Sequence, residues 1–492
     1  MMNDFFNIMI NMEYTRRKFI TQSVARSVGM SLTPVLLRAA NQDEPAILNM
    51  KLLQNYVDYF NKNDIEYYKN FYPNKLAYSF LSENIPLFEC PDKEREKIYY
   101  FRWWIYRKHI RKTKMGYVVT EFLPDVSQKS SYGVINCPAG HYFREGRWLH
   151  NNEIMIDYMN FYLNYPEESS AHKYSFWSAD SILAITNVHP NNDWLKKMLN
   201  PFIQLYQGWN NISVKKVYRA GPDELWARFD HNDGIEWTVC GHVLSGGKEW
   251  VKKVLSVRPT FNSYMYGDSL AISQIACLAR KNHIAEVYEN EAALLKKRIQ
   301  KRLWNEKLRF FIILPKDYTN SSRSADVREQ VGFIPWYFNL PDDNNRYDEA
   351  RKQLMDTEGF YAPFGPTTCE QRYPFFTVDY NNLSACQWNG PSWPCATSQT
   401  LTALANLLNN YNQQKIGKKE LFETLKIYTR SHAFREIPPD SDENRKPIVK
   451  ENLPWIDENL ILIPETGWPG IALMREKSGQ KIITTVLIAI LL

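Results

Sequence analysis

The sequence predicts an all-α fold in which helices pair into hairpins and the hairpins form a toroid rather than a bundle. Three observations support this fold class. From residue 47 onward, apolar residues recur mainly at the i, i+3, i+4 spacing of amphipathic helices, without coiled-coil heptads. Strand-like runs are few and short. The chain shows no sequence repeat of fixed period, which argues against a ligand-binding solenoid.

The helical spacing recurs in segments along most of the chain. We predict helices over residues 52–60, 94–110, 153–163, 176–186, 194–206, 269–279, 286–303, 398–411 and 419–429. The last four pair as consecutive helices with short polar links, which is typical of helical hairpins. Strands are predicted only over residues 117–122, 131–137 and 310–314.

Segments rich in aromatic, glycine and polar residues lie between the helices. We predict loops over residues 139–148, 225–237, 261–268, 359–365 and 455–459. Loops of this kind on a rigid scaffold often carry the functional side chains.

The first forty residues resemble a targeting segment. Arg16 and Arg17 form a twin-arginine pattern, which a modestly apolar run and the pair Ala39–Ala40 follow. We therefore predict a signal segment over residues 1–40, export to the periplasm of a bacterium, and one domain over residues 41–492. The alternative is an ordinary basic N-terminal helix. No later segment reaches the ~20 apolar residues of a membrane-spanning helix.

Charge and cysteine content exclude several classes of function. About half of the net charge of +6 lies in the first forty residues, so no basic stripe for nucleic acid remains. The seven cysteines are scattered and include no Cys-x-x-Cys pair, so neither a zinc site nor a disulfide framework is indicated. Phosphate-binding and nucleophile-elbow motifs are missing from the sequence. We expect no cofactor and no metal.

Residues 387–394, with the sequence Gln-Trp-Asn-Gly-Pro-Ser-Trp-Pro, are the most distinctive stretch of the chain. A helix is predicted to begin near Pro394, with Ser392 as its cap. Two indoles, which stack on sugar faces, and two amides, which bond neighbouring hydroxyls, therefore lie just before a helix N-terminus. The alternative is a core turn in which both indoles are simply buried.

Two pairs of acidic residues are candidates for catalysis. Hydrolysis of a glycosidic bond needs one protonated and one ionised carboxyl group. Asp233 and Glu236, near Trp226, would share one face of a helix if the loop has entered one. The residues alone favour a capping box that merely starts that helix. Asp457 and Glu458 form the second pair, for which a solvated acidic turn is the alternative.

These motifs, in this order, resemble a known clan of enzymes. Asp-Gly-Ile-Glu, then the 387–394 segment, then Ile-Asp-Glu-Asn before a Thr-Gly turn are similar to motifs of the inverting glycoside hydrolases of the trehalase and processing-glucosidase clan. The resemblance is closest to the mannosylglycerate-hydrolase-like branch near glycoside hydrolase family 63, and it spans about residues 99–467. It implies an (α/α)6 barrel and hydrolysis of an α-linked oligosaccharide or small glycoside by single-displacement inversion.

The resemblance also assigns site residues. Residues 232–236 match the general-acid motif with Glu236 in place of the clan's Asp, so Asp233 stays a second candidate for the proton donor. Glu458 matches the general base. The substrate-binding residues that we infer are Gln387, Trp388, Asn389 and Trp393, with Tyr264, Trp226, Arg147, Trp148, Trp177 and Asp180 as additions.

The resemblance ends after Gly467. The chain finishes with an aliphatic run over residues 482–492, whose codons, read two nucleotides along, can spell a motif like the one that closes the barrel in the clan. We therefore expect a truncation or frameshift after about residue 470; a natural apolar segment is the alternative. Two rival functions stay open: a catalytically impaired carbohydrate-binding protein on the same barrel, and another α/α-toroid carbohydrate enzyme, a lyase or an epimerase.

Overall fold

Helices make up most of the described chain, as the apolar spacing predicts. The computed structural model describes residues 48–64, 66, 68, 70–123, 130–210, 217–221, 223–247, 250, 254–318, 325–363, 365–377, 387–434, 453–454, 460–461 and 471–472. The predicted signal segment, Glu458 and the C-terminal aliphatic run lie outside these residues. The chain divides into two units, Met1–Asn49 and Met50–Leu492, and every element described below belongs to the second.

The helices are numbered here in chain order. They are α1 Met50–Lys62, α2 Ala77–Asn84, α3 Lys93–His109, α4 Ala139–Gly146, α5 Glu153–Asn164, α6 Ala179–Val188, α7 Asn192–Gly208, α8 Val239–Leu244, α9 Pro259–Leu278, α10 Asn282–Arg302, α11 Ile334–Tyr337, α12 Asp348–Lys352, α13 Pro394–Asn410 and α14 Lys418–Arg430. Each predicted helix is present, and the all-α class with a few short strands is confirmed.

Two predicted loops are helical instead. Residues 139–148 contain α4, and residues 261–268 are the first half of α9. Helix α4 has only eight residues, too few for the apolar spacing to repeat, and the first half of α9 is buried on every side and so shows no polar stripe. Glycine marks where other side chains pack on them: a Cβ at Gly140 would lie 2.5 Å from the Trp177 ring, and one at Gly267 would lie 2.3 Å from the Phe338 ring.

The strands are short and antiparallel. They are β1 Ile110–Thr113, β2 Gly116–Val119, β3 Val217–Ala220, β4 Leu225–Phe229, β5 Leu255–Val257, β6 Trp304–Asn305, β7 Phe310–Phe311, β8 Leu314–Pro315, β9 Ala433–Phe434, β10 Leu453–Pro454, β11 Leu460–Ile461 and β12 Ile471–Ala472. A four-stranded sheet of order β3-β4-β5-β8 was not predicted. The predicted strand over residues 131–137 is wrong, because Ser131–Gly133 is a 3-10 turn with Tyr132 at φ 63°.

The buried helices pack in a closed succession. Contacts run from α4 to α6, then to α9, α11 and α13, and on through α14 to α3. Arg102 of α3 closes the succession, because its guanidinium lies 3.3 Å from Glu145 of α4 and donates to His432 Nε2, just after α14, at 2.8 Å. This order of packing is the one expected of a helical toroid. Among the described residues, no helix combines the length and apolar character needed to cross a membrane.

Removing the Arg102 side chain should test this closure. Arg102 and Glu145 are 1% and 0% exposed, so Arg102→Met leaves a buried carboxyl group without its partner. We expect the free energy of unfolding to fall by about 3–5 kcal/mol in urea denaturation. Arg346→Met, which breaks an exposed ion pair with Glu306, should cost less than about 1 kcal/mol. Equal losses in the two variants would contradict the closing role of Arg102.

Candidate active site

The loop that carries Asp233 and Glu236 is built around a buried carboxylate. Residues 230–238, called the Asp233 loop below, follow β4 and begin with a 3-10 turn. Asp230 Oδ1 accepts hydrogen bonds from the backbone N–H groups of His231 and Val254, both at 2.9 Å. The N–H of Asp233 donates to the Asp230 carbonyl at 2.8 Å. Asp230 therefore ties the start of the loop to the segment that leads into β5.

Two left-handed residues turn this loop inward. Gly234 has φ +75°, and a Cβ there would lie 2.4 Å from Cys137 Sγ, so only glycine fits without displacement. Trp237 has φ +57° although it is not glycine. Strained backbone of this kind is held in place by its surroundings and is found most often at functional sites.

The capping-box interpretation of Asp233 and Glu236 is wrong. Helix α8 begins only at Val239, and its cap is Thr238, whose Oγ1 accepts from the Gly241 N–H at 2.9 Å. The two acidic residues lie in the turn before the helix, so they do not share a helix face. Their role in the fold is therefore not to start α8.

Residues 387–393, called the Trp388 segment below, form a buried turn before α13. The indoles of Trp388 and Trp393 stack at 4.5 Å with an interplanar angle of 19°. Trp393 Nε1 donates to the Gln387 carbonyl at 2.8 Å. Helix α13 begins at Pro394 as predicted, but Trp393 takes the cap position without a side-chain bond, so the predicted Ser392 cap is wrong.

A backbone bridge joins the two motifs. Thr238 of the Asp233 loop pairs with Trp388 in a parallel β-bridge, although the two residues are 150 positions apart in the printed sequence. Asp233 and Trp388 also line the same cavity. The structure thus brings together two of the three motifs that the sequence singled out; the third, which contains Glu458, lies outside the described residues.

Two buried amides in the Trp388 segment have no hydrogen-bond partners within the described part of the chain. Gln387 and Asn389 are both 0% exposed. Among the described residues, neither amide nitrogen nor amide oxygen of either side chain is hydrogen-bonded. Burying such groups unpaired costs about 1–3 kcal/mol each, so an arrangement like this normally has a functional reason.

The cavity between the motifs is small. Its volume is about 40 Å³, which holds a few water molecules but no sugar ring. Helix starts and loops supply its walls, which include Cys137, Ser175, Asp233, Ile235, Thr260, Tyr264, Gln330, Trp388, Cys395 and Gln399. For a sugar to enter, some of these side chains must move.

Polar contacts fix Asp233 and Tyr264 in this cavity. The Thr260 hydroxyl donates to Asp233 Oδ2, and among the described residues Asp233 Oδ1 has no partner. Gln399 Nε2 donates to the Tyr264 hydroxyl at 2.9 Å. Burial, and then the negative charge of Asp233, raise the pKa of Tyr264. Burial also raises the pKa of the Cys137 thiol, and the negative charges of nearby carboxylates, including Glu236 and Asp233, raise it further.

Of the residues predicted to bind substrate, Trp388 and Tyr264 line the cavity, whereas Gln387, Asn389 and Trp393 are buried next to Trp388 without lining it. The remaining predicted residues lie away from it. Trp177 packs on Tyr264 at 4.5 Å and so supports the wall from behind, and Trp226 is buried on β4. Asp180, on α6, pairs with Arg144, which lies on α4. Arg147 and Trp148 follow the C-terminal end of α4. Glu458 lies outside the described residues.

Sequence reasoning missed the side chains that support the site. Thr260 and Gln399 are ordinary residues of α9 and α13 whose pattern gives no signal of a cavity. A buried charge cluster behind the Asp233 loop was also missed: Arg258 Nη2 lies 3.7 Å from Asp230 Oδ2, and Glu329 Oε1 accepts from the Cys240 N–H at 2.9 Å. For this cluster the sequence offered one signal, the position of Arg258 directly before Pro259, where α9 begins.

The charge cluster should make stability depend on pH. Burial raises the pKa of Glu329 to about 7 and that of Asp230 to about 6. A carboxyl whose pKa is higher in the folded than in the unfolded chain stabilises the fold below its unfolded pKa of about 4.3 and loses that contribution as the pH rises through its folded pKa. The free energy of unfolding of the parent should therefore fall as the pH rises from about 4.5 to 7.5. In Glu329→Gln, which lacks this carboxyl group, the fall should be smaller by on the order of 3 kcal/mol.

Urea denaturation at the two pH values measures this difference. Glu289→Gln, at an exposed position of α10, is the control and should follow the parent. Parallel curves for Glu329→Gln and the parent would contradict the raised pKa.

A matched pair of asparagines should separate a structural from a binding role of the buried amides. Asn262 is also 0% exposed, but its side chain bonds the N–H and carbonyl of Trp226 and the carbonyl of Arg258. Asn262→Leu should therefore cost about 3 kcal/mol or more in thermal or urea unfolding, whereas Asn389→Leu should be neutral or slightly stabilising. A comparable loss for Asn389→Leu would mean that its amide serves the fold.

Comparisons with known proteins identify the family of this chain. The family model of the mannosylglycerate hydrolase MGH1-like glycoside hydrolase domain matches residues 131–447. Among solved structures, a protein titled "Sialidase" is 32% identical with a TM-score of 0.76, over 89% of this chain and 37% of that chain. This chain therefore corresponds to much less than the whole of that protein. A comparison with curated protein sequences finds no significant match.

Two further structures are similar at lower scores. The family 63 mannosylglycerate hydrolase from Thermus thermophilus is 10% identical with a TM-score of 0.43, over 58% of this chain and 83% of that chain. Neutral trehalase from Saccharomyces cerevisiae is 12% identical with a TM-score of 0.39, over 55% of this chain and 60% of that chain. Because the family model spans more than half of the sequence and includes both the Asp233 loop and the Trp388 segment, the chain belongs to the MGH1-like glycoside hydrolase domain family.

Proposed function

We propose that this protein is an exported glycosidase that hydrolyses an α-linked glycoside with inversion of configuration. The observation that carries the proposal is the bridge between the Asp233 loop and the Trp388 segment, which joins a loop with two carboxyl groups to buried amides without partners. A sugar hydroxyl both donates and accepts hydrogen bonds, so neighbouring hydroxyls match the donors and acceptors of Gln387 and Asn389. Membership of a glycoside hydrolase family supports the same reaction class.

The proposed reaction is a single displacement. Glu236 protonates the leaving oxygen, and Glu458 removes a proton from the water that attacks the opposite face of the anomeric carbon. The glycosidic C–O bond breaks as the new C–O bond forms, and the two carboxyl groups stand roughly 6.5–9.5 Å apart to admit the water.

We assign the acid to Glu236 rather than to Asp233 for a geometric reason. Asp233 is 6% exposed and one of its oxygens accepts from Thr260, which suits a side chain that shapes the cavity. Glu236 does not line the cavity but is only partly buried on the same loop, so its carboxyl group is more accessible to solvent than that of Asp233. A proton donor must reach that oxygen within hydrogen-bond distance.

The proposed sugar subsite is the Trp388 segment. An indole face packs on the C–H face of a sugar, while the amides of Gln387 and Asn389 select its hydroxyls. The volume of about 40 Å³ means that binding requires the wall to open. That small volume is also the observation that favours the second candidate function, a carbohydrate-binding protein without turnover.

Export is proposed from residues 1–40 alone. The twin-arginine pattern supports secretion of the folded chain, with the periplasm of a bacterium as the destination. Replacing Arg16 and Arg17 with Lys and fractionating the cells would test this location without involving activity.

Time-resolved proton NMR of the reaction tests the central proposal. The panel contains α-linked glucosides, mannosides, galactosides and rhamnosides, and also α-sialosides because the 32% identical relative is titled a sialidase. We expect the product of opposite anomeric configuration to appear first. Glu236→Gln and Glu458→Gln should each lower kcat by roughly 100-fold or more with little change in substrate affinity, whereas Asp233→Asn should lower it less.

Each alternative has its own outcome. Retention of configuration would contradict the single displacement. A larger loss for Asp233→Asn than for Glu236→Gln would transfer the acid role to Asp233. Saturable sugar binding by the folded protein without any product would favour the binding-only function.

A further inference from the structure

A second cavity lies between α4 and α13. Its volume is about 130 Å³, and most of its lining residues carry polar or charged groups, although apolar atoms make up about half of the exposed wall. Arg144 and Arg147 line it from α4 and the residue that follows it, and Ser398, Thr402, Asn406 and Asn409 line it from α13. We call this cavity the arginine cleft. It is close in size to cavities of about 150 Å³ that bind ligands of six heavy atoms.

In the described part of the chain, the two guanidinium groups of the arginine cleft share one neighbouring carboxylate, that of Asp180. Arg144 pairs with Asp180. Among the described residues, Arg147 forms neither an ion pair nor a side-chain hydrogen bond, and its one close contact of this kind is the Trp148 ring at 5.0 Å. Burial, together with the neighbouring charge of Arg144, lowers the pKa of Arg147 to about 10, so the group is still charged at neutral pH.

The opposite wall offers a stripe of polar groups. Ser398, Thr402, Asn406 and Asn409 follow one another at intervals of four, four and three residues, so they lie on one face of α13. The Ser398 and Thr402 hydroxyls donate to the carbonyls of Cys395 and Ser398, and the Asn406 amide donates to the carbonyls of Trp336 and Tyr337. These three side chains therefore shape the wall, and the donors for an anion come from the arginines. Asn409 is exposed, so the cleft opens to solvent at that end of α13.

We propose that the arginine cleft is a binding site for a small carboxylate, which the guanidinium groups of Arg147 and Arg144 hold beside α13. An uncompensated, partly buried guanidinium is unfavourable, and a carboxylate is the group that best matches its planar pair of donors. The ligand supplies the negatively charged partner that Arg147 lacks within the described part of the chain.

The arginine cleft differs from the candidate catalytic cavity. Only His141 lines both cavities. Arg144 and Arg147 lie about one and two turns further along α4 than His141, and burial holds the pKa of His141 at about 3, so that imidazole is neutral. The carboxylate is therefore recognised by charges that belong to the cleft alone. It is either a free small acid or a group carried by a glycoside; the second source rests on the proposed function.

Isothermal titration calorimetry of the full chain with sodium acetate tests the site. Acetamide, which is neutral and has nearly the same shape, is the control ligand. In a buffer of low ionic strength we expect saturable one-to-one binding of acetate and none of acetamide. Arg147→Gln should weaken acetate binding by roughly 10-fold or more, because it removes a charge-assisted bond. Arg280→Gln, at an exposed position outside the cleft, should leave binding unchanged.

A second variant keeps the test valid if Arg147→Gln fails to fold. Asn409→Asp places a carboxylate at the exposed mouth of the cleft and should abolish acetate binding while leaving the protein folded. Equal binding of acetate and acetamide, no binding to the parent chain, or unchanged binding in both cleft variants would each overturn the proposal.

A competition arm distinguishes the two sources of the carboxylate. If a glycoside carries the carboxylate, acetate should compete with acidic glycosides for binding, and Arg147→Gln should weaken the binding of acidic glycosides but not of neutral ones. If it is a free acid, acetate should bind equally well with the glycoside site filled. The acetate titration involves no turnover, so an inactive protein that still binds acetate would refute the proposed function and leave the arginine cleft standing.

Discussion

The contact on which the site depends is the backbone bridge between Thr238 and Trp388. Side chains from distant parts of the chain can form one cavity only if their backbones are held together, and this bridge does so next to the cap of α8. Asp230 reinforces it from behind, because its buried carboxylate organises the turn that leads to Asp233. The positions of the Asp233 loop and the Trp388 segment are thus fixed by backbone bonds rather than by the groups assigned to chemistry.

Because backbone bonds hold the Trp388 segment in place, its buried side chains can be polar, although burying them unpaired destabilises the fold. A turn built only for packing would hold apolar side chains where Gln387 and Asn389 lie, since burying their amides unpaired is unfavourable. Asn262 shows that the same protein satisfies a buried amide completely when it serves the structure. The contrast between these asparagines is the best physical argument that the Trp388 segment is shaped for a ligand.

Sequence reasoning predicted the long helices of the protein and missed elements that are short or that lie within predicted loops. Helices such as α7 and α14 have one solvent face, so their spacing reveals them, whereas α4 has only eight residues and the first half of α9 is buried all round. The four-stranded sheet was missed because its strands are two to five residues long and pair across the chain from Val217 to Pro315. At the site, the motifs were visible in the sequence, but Thr260, Gln399 and the Arg258 cluster were not, because their roles arise only from three-dimensional proximity.

The most direct test of the shared site is tryptophan fluorescence during sugar binding. Glu236→Gln protein, which should bind without turnover, is titrated with whichever α-glycoside the parent cleaves, alone and combined with Trp388→Phe or Trp148→Phe. We predict a saturable fluorescence change that Trp388→Phe removes. Trp148 lies just after the C-terminal end of α4, away from the cavity, so Trp148→Phe should leave the change intact. A change that persists without Trp388 and disappears without Trp148 would place the sugar elsewhere and contradict the assignment of the Trp388 segment.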